Sequence, residues 1–285
     1  MPFAVIPWFE LPSLSLGPFT IQSIGVLAAL GILAGVSLAT RAARQLGRDP
    51  RVINDFAVVG VLSGVVAGHL VHLFFYHPEE LAEPWRVLTF WQGLSSMGGL
   101  AGGVLAAVVF FRLRRVRLGD YADAFALGTA PGWGIARIGC FTVHDHPGVH
   151  TDFFLAVQFP DGPRHDLGFY EAILLLSIGA VLWALHRRGV LRGFLLSLLA
   201  LAYGMGRFLL DFLRASDVAY ADARYLGLTP AQYAAITLVA YAVWTFTRAR
   251  GVAWRTPPEK RAREADRPAA SRPVAERPRS MVPRT

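Results

Sequence analysis

Apolar residues in this chain run in long blocks separated by short polar segments. No charged residue occurs between Glu10 and Arg41, which places a first block at 18–40. Further blocks follow at 56–76, 90–111, 121–141, 167–185, 193–213 and 230–246. Each has about the 20 residues an α-helix needs to cross a hydrocarbon core. The pattern predicts an all-α, polytopic membrane protein with seven transmembrane helices. The second block carries His69 and His72, each expected to pair with a neighbouring helix, and the fourth carries Asp123, a Pro131-Gly132 break and Arg137. The third is rich in glycine, with Gly93, Gly98, Gly99, Gly102 and Gly103. Small residues let helices approach closely, or let a lipid headgroup reach the backbone.

Charge then orients the blocks. Arg41, Arg44, Arg48 and Arg51 lie in one connection, Arg112, Arg114, Arg115 and Arg117 in another, and Arg187, Arg188 and Arg192 in a third. The intervening connections are poor in arginine: 77–89 has only Arg86 and 142–166 only Arg164. By the positive-inside rule the N-terminus is outside, the C-terminus cytoplasmic, and the 142–166 loop faces outward. The composition agrees, with 54% hydrophobic and 17% charged residues among 285. The net charge of +8 sits in connections and tail, where orientation and anionic lipid account for it, and no nucleic acid is implied. No basic residue precedes the first block, so no cleavable signal is expected. Residues 1–250 read as one transmembrane unit, and 251–285, rich in Pro, Arg, Ala and Glu, as a disordered basic cytoplasmic tail.

Candidate chemistry concentrates between Arg137 and Glu171, a stretch with four histidines and four aspartates. An ionisable group within a span costs about 2.5–3.5 kcal/mol on insertion scales, so each such group is a functional candidate. Arg137 offers a bidentate cation for phosphate, or snorkels to the interface. Arg207, Asp211 and Arg214 stand at i, i+4 and i+7 and share one helix face, as a self-neutralised pair or as a second anion-binding wall. In His144-Asp145-His146 a histidine could serve as general base, its ordinary pKa lying near working pH. The spacing matches no zinc pattern, and the single cysteine, Cys140, excludes a CxxC site and an internal disulfide, so no metal is expected. Cys140 itself reads as a small packing residue. Glu171 reads as a helix-start carboxylate.

Taken in order, these residues resemble the prolipoprotein diacylglyceryl transferases of bacterial inner membranes, over nearly the whole chain to about residue 247. The likeness rests on Ser15-Leu16-Gly17-Pro18, Met97-Gly98-Gly99-Leu100-Ala101-Gly102 and Ala136-Arg137-Ile138-Gly139-Cys140-Phe141. It continues in Phe159-Pro160, Pro163-Arg164-His165, Tyr170-Glu171, Arg207 to Arg214, Asp217 and Leu226-Gly227-Leu228-Thr229. The resemblance implies transfer of a diacylglyceryl group from phosphatidylglycerol to the lipobox cysteine thiol of a prolipoprotein signal peptide, releasing glycerol phosphate. It implies no cofactor, and an active site on the outer side of the inner membrane among membrane lipids. Arg137 matches the family's phosphatidylglycerol-binding arginine and Arg207 its second essential arginine. Gly98, Gly99, Gly139, His165, Tyr170, Glu171, Asp211 and Arg214 are expected to help bind substrate.

The chain also departs from the family. Met97 replaces the histidine before the glycine pair, Ile24 a tyrosine of the first span, and Cys140 an asparagine. Asp211 stands where glutamate is usual, and His144-Asp145-His146 replaces an Asn-Gly-Glu region, with Asp145 at the glutamate. Met97 cannot accept a proton. We therefore expect the base to have moved, with His144 or His146 taking the thiol proton and Arg137 and Arg207 holding the phosphate. Two other readings stay open on sequence alone: a divergent transferase with another lipid or acceptor, and a non-enzymatic phospholipid-binding protein.

Overall fold

A computed structural model describes residues 6–11, 13–16, 19–90, 93–218 and 221–248. Among them are seven α-helices: α1 (Ser23–Gln45), α2 (Pro50–Val71), α3 (Ser96–Leu113), α4 (Ala122–Val143), α5 (Leu167–Arg188), α6 (Leu195–Leu210) and α7 (Pro230–Arg248). Four helical stretches are long and apolar enough to cross a membrane: Ser23–Gln45, Pro50–Tyr76, Leu167–Arg188 and Leu195–Leu213. The tail expected at 251–285 lies outside the described residues.

The helices begin and end where local chemistry allows. The expected start of the first block at 18 moves to Ser23, because β1 (Leu14–Leu16) and β2 (Phe19–Ile21) form an antiparallel hairpin ahead of α1. The third block, expected from 90, becomes helical only at Ser96, after Gly93 takes a left-handed turn at φ 85 and Ser95 caps the Gly98 N–H. Both ring nitrogens of buried His69 meet backbone carbonyls, of Gly93 and of Arg86, and so fasten 86–93 to α2. The sixth block tightens into a 3-10 turn at Asp211–Leu213. Thr229 and Gln232 form a reciprocal capping box at the start of α7.

α4 is the central helix, packed against α1, α5 and α6. Its approach to α1 is made by glycines facing glycines: a Cβ on Gly132 would lie 2.6 Å from the Gly31 carbonyl and 2.9 Å from the Gly35 Cα. Pro131 has no N–H for the Leu127 carbonyl one turn back, and the Trp183 indole of α5 donates to that carbonyl instead, at 3.0 Å. The connections read as basic gather at one end of the bundle, where Arg48 meets Asp120 at 3.2 Å, Arg114 meets Asp55, and Gln45 meets His186.

The opposite end carries the largest departure from an all-α expectation. The 142–166 segment is a small sheet, not an open loop, with β3 (Pro147–His150) and β4 (Val157–Phe159) flanking β5 (Gly162–Asp166), all antiparallel. His144 turns the chain from α4 into this sheet by taking a left-handed conformation at φ 49. Asp166 ends the sheet and caps α5, accepting from the Phe169 N–H at 2.9 Å. The sheet thereby sits across the ends of α4, α5 and α6.

Candidate active site

Under the sheet, α4, α5 and α6 bring four ionised side chains into one buried chain of ion pairs, and Arg214 extends it. Glu171, fully buried at the start of α5, holds Arg137 Nε at 2.6 Å with one carboxylate oxygen and Arg207 Nη1 at 2.8 Å with the other. Asp211, also fully buried, holds the same Arg207 Nη1 at 2.8 Å and Arg214 Nε at 2.9 Å. Thr229 at the start of α7 donates its hydroxyl to Asp211. The Arg207–Asp211–Arg214 face read from helical spacing is therefore real, and Glu171 joins it to Arg137. Arg214 also reaches Asp222 at the surface, at 3.2 Å. Three guanidinium groups thus face two buried carboxylates and, at the surface, the carboxylate of Asp222. Tyr203 of α6 stands in electrostatic contact with Arg137, Glu171 and Arg207.

The arginine that opens this chain also reaches the histidine segment. Arg137 Nη1 donates to His146 Nε2 at 3.1 Å, and His146 Nδ1 faces Asp145 Oδ1 at 2.5 Å. The guanidinium has only protons to offer, so this contact fixes Nε2 as the acceptor and Nδ1–H as the donor to Asp145. His146 thus presents a carboxylate-oriented ring whose Nε2 lies at Arg137. The same Nη1 donates to Cys140 Sγ at 3.5 Å.

The structure separates the two histidines that sequence offered together. His144 is buried, with Nδ1 at 2.7 Å from Asp166 Oδ2 and Nε2 at 3.1 Å from the Phe9 carbonyl. Its ring stacks on Trp8 with centroids 4.3 Å apart. The His144 side chain is wholly buried where that of His146 is 22% exposed, and it clamps the sheet to the N-terminal segment. His165 and Tyr170 form a pair beside the site, with His165 Nδ1 donating to the Tyr170 hydroxyl at 2.9 Å and that hydroxyl donating to the Leu155 carbonyl. Partial burial pushes the His165 imidazole below its ordinary value.

Three expected glycines take packing roles. A Cβ on Gly98 would strike Val71 and Ala67 of α2, and one on Gly99 would approach the Gly64 carbonyl. Both serve the α2–α3 contact. Gly139 is buried against Ile24 and Leu27 of α1, so its absent side chain serves the α1–α4 approach.

Other residues at the site were named from sequence only as parts of a motif or not at all. Arg164 is buried on β5 and holds Asp161 and Asp217 in two-pronged pairs, with a further bond to the Gly148 carbonyl at 3.1 Å. It ties the sheet to the segment after α6, which also pairs through Gly148 and Arg214 and through Ala215 N–H to the Pro147 carbonyl. Arg164 holds the Asp217 carboxyl down at about 2 and lowers that of Asp161 as well. Asp166 carried one usable signal, an aspartate immediately before an apolar run, and Thr229 carried another in its T-x-x-Q spacing. Cys140 was read as packing, yet its sulfur, an Asp145 oxygen and a His146 nitrogen all lie within 4.8 Å of one another, a metal-competent grouping among the described residues.

The arrangement can bind an anionic phosphodiester and take a proton beside it. Comparison with known proteins identifies the family. The sequence signature of the prolipoprotein diacylglyceryl transferase family matches residues 12–248. A phosphatidylglycerol–prolipoprotein diacylglyceryl transferase of Chromohalobacter salexigens is 32% identical over 249 residues, covering 84% of this chain and 93% of that protein. Proteins with the same description from Nitratidesulfovibrio vulgaris strain DP4 and Halalkalibacterium halodurans are 30% and 29% identical, each over 84% of this chain and over 94% and 87% of their own lengths. A signature spanning most of the described helices, and relatives aligned nearly end to end, place this chain in the prolipoprotein diacylglyceryl transferase family.

Proposed function

We propose that this protein transfers the diacylglyceryl group of phosphatidylglycerol to the lipobox cysteine thiol of a prolipoprotein signal peptide. On this reading seven helices span the bacterial inner membrane, with the N-terminus and the small sheet outside and the basic connections and tail in the cytoplasm. Residues 1–250 form the catalytic unit. The gathering of the basic connections at one end of the bundle supports that orientation.

The observation that carries the reading is the buried cluster of ion pairs opened by Arg137 and backed by Arg207, which sets two guanidinium groups on one carboxylate. A phosphodiester brings one negative charge, which the guanidinium groups of Arg137 and Arg207 can share. Arg137 and Arg207 hold the phosphate, with Glu171 and Asp211 fixing their orientation and Arg214 steadying Asp211. His146 Nε2, oriented by Asp145, takes the proton of the acceptor thiol. The thiolate sulfur then forms a bond to the terminal glyceryl carbon, and the carbon–oxygen bond to phosphate breaks. The electron pair leaves with glycerol phosphate, whose new charge the arginines stabilise. His165 and Tyr170 shape the lipid headgroup region beside Glu171.

The test is lipid transfer in phosphatidylglycerol-containing micelles to a lipobox peptide, with mass spectrometry for the diacylglyceryl adduct. We expect an adduct with the unaltered protein, loss of it in Arg137→Ala, and a fall of about 10²–10⁴-fold in His146→Ala, the usual contribution of a general base. No adduct from a folded protein that still binds phosphatidylglycerol overturns the transferase reading. Full activity in His146→Ala overturns the base assignment alone.

A further inference from the structure

Cys140, Asp145 and His146 replace other residue types of the family, and the structure puts them together. Cys140 lies in the last turn of α4, and Asp145 and His146 follow the left-handed turn at His144, which folds them back over the helix end. Their ligand-capable atoms lie within 4.8 Å of one another. Sulfur, imidazole and carboxylate together suit zinc-class divalent ions and not magnesium or calcium.

The hydrogen bonding prepares the ring for such an ion. His146 donates Nδ1–H to Asp145 and turns the lone pair of Nε2 inward, the orientation in which carboxylate-supported histidines ligate metals. A cationic group already stands where the ion would: Arg137 Nη1 lies 3.1 Å from Nε2 and 3.5 Å from Cys140 Sγ. A tetrahedral ion with bonds of about 2.3 Å to sulfur and about 2.0 Å to nitrogen needs a sulfur–nitrogen edge of about 3.5 Å. The ligand atoms lie within 4.8 Å of one another, and the His146 and Asp145 side chains, 22% and 37% exposed, stand open to solvent. Arg137 need not lose its own charge partner when displaced, because its Nε stays with Glu171 at 2.6 Å.

We infer that Cys140, Asp145 and His146 form a site for a zinc-class divalent cation that competes with Arg137 for His146. Cys140 Sγ and His146 Nε2 are direct ligands, Asp145 ligates or orients the ring, and water completes the shell. Binding releases the Cys140 thiol proton to solvent. The occupied site removes the basic nitrogen from the proposed lipid transfer, so the ion acts as a brake on that reaction.

Cobalt(II) is the probe, titrated into the full-length protein in detergent and followed by absorption. This readout is independent of transferase activity. We expect one cobalt per chain with a thiolate charge-transfer band and tetrahedral visible bands, displaced by zinc. Cys140→Ser should remove the charge-transfer band, and Asp145→Asn should weaken affinity about 10–100-fold. His150→Ala, on β3 beside Asp161, should change nothing. Zinc should then slow adduct formation, with recovery on chelation. Absence of the charge-transfer band, or its survival in Cys140→Ser, overturns the site. Zinc-bound protein transferring lipid at the unbound rate overturns the competition with Arg137.

Discussion

Glu171→Gln tests the organisation of the cluster directly. The replacement keeps the shape and one acceptor oxygen and removes the charge that holds two arginines from different helices, at 2.6 and 2.8 Å. Glu171 is fully buried, and the side chains of Arg137 and Arg207 are only 15% and 8% exposed, so little solvent is present to screen the loss. The cluster loses one negative charge. Removing one partner of a buried pair costs about 3–5 kcal/mol, because the remaining charge is left uncompensated. At about 2–4 °C per kcal/mol for a chain of this order of size, the unfolding midpoint should fall by about 10 °C. Catalysis should fall further than stability implies, since a misplacement of about 1 Å in a positioning group costs about 10²-fold. The two effects separate in the assays. Thermal unfolding in detergent, followed by tryptophan fluorescence, reads the first. Steady-state lipid transfer reads the second, with kcat falling and KM for phosphatidylglycerol unchanged or lower, because the cluster has become more cationic. Glu171→Asp should recover part of both. A Glu171→Gln protein with an unfolding midpoint within about 2 °C of the parent and undiminished kcat would refute the argument that this carboxylate organises the arginines.

Three further outcomes follow from the same geometry. His144→Ala strands the buried Asp166 carboxylate and should destabilise the fold by about 3 kcal/mol, while transfer per folded molecule stays within about twofold; urea titration with activity normalised to folded protein separates this from His146→Ala. Gly132→Val places side-chain carbon against the Gly31 carbonyl and Gly35 backbone, so it should prevent α1 and α4 from docking and abolish recovery of monodisperse protein on size exclusion. The Arg164–Asp217 clasp contributes stability that is present above the ordinary aspartate value of 3.8 and lost as pH falls through about 2, since the folded carboxyl is the depressed one; an acid titration of sheet unfolding should lose its Asp217→Asn-sensitive part only in that window.

The helices were legible because a block of about 20 apolar residues has few alternatives in lipid, where backbone groups must bond within their own segment. Their edges were not, because single residues set them: the Gly93 turn delays α3, and a hairpin delays α1. The arginine face was legible wherever one helix supplied it, as in Arg207, Asp211 and Arg214, since i, i+4 and i+7 fix a face regardless of tertiary context. Contacts between helices were legible only through resemblance; nothing in the spacing of Arg137 and Glu171 says that they meet. Glycine was ambiguous by its nature. Gly98 and Gly99 were open to a helix or to a headgroup, and they admit α2; a missing side chain gives the same sequence signal in both cases.

The histidine segment shows where sequence reading stops and why. His144 and His146 differ by two positions, are the same residue type, and flank the same aspartate. Their roles divide because His144 takes a left-handed backbone conformation that non-glycine residues adopt infrequently. That turn sends the His144 ring inward, to Asp166 and the Phe9 carbonyl, and returns His146 over the end of α4 to Arg137 and Cys140. The buried pairing of His144 with Asp166, the stacking on Trp8 and the capping of α5 by the same aspartate together hold the turn in place. The contact of His146 with Arg137 therefore depends on a clamp built from His144, Asp166 and Trp8. Weakening the clamp should loosen His146 from Arg137 before it unfolds the helices, since the sheet is joined to the bundle through these few contacts and the helices through their whole length.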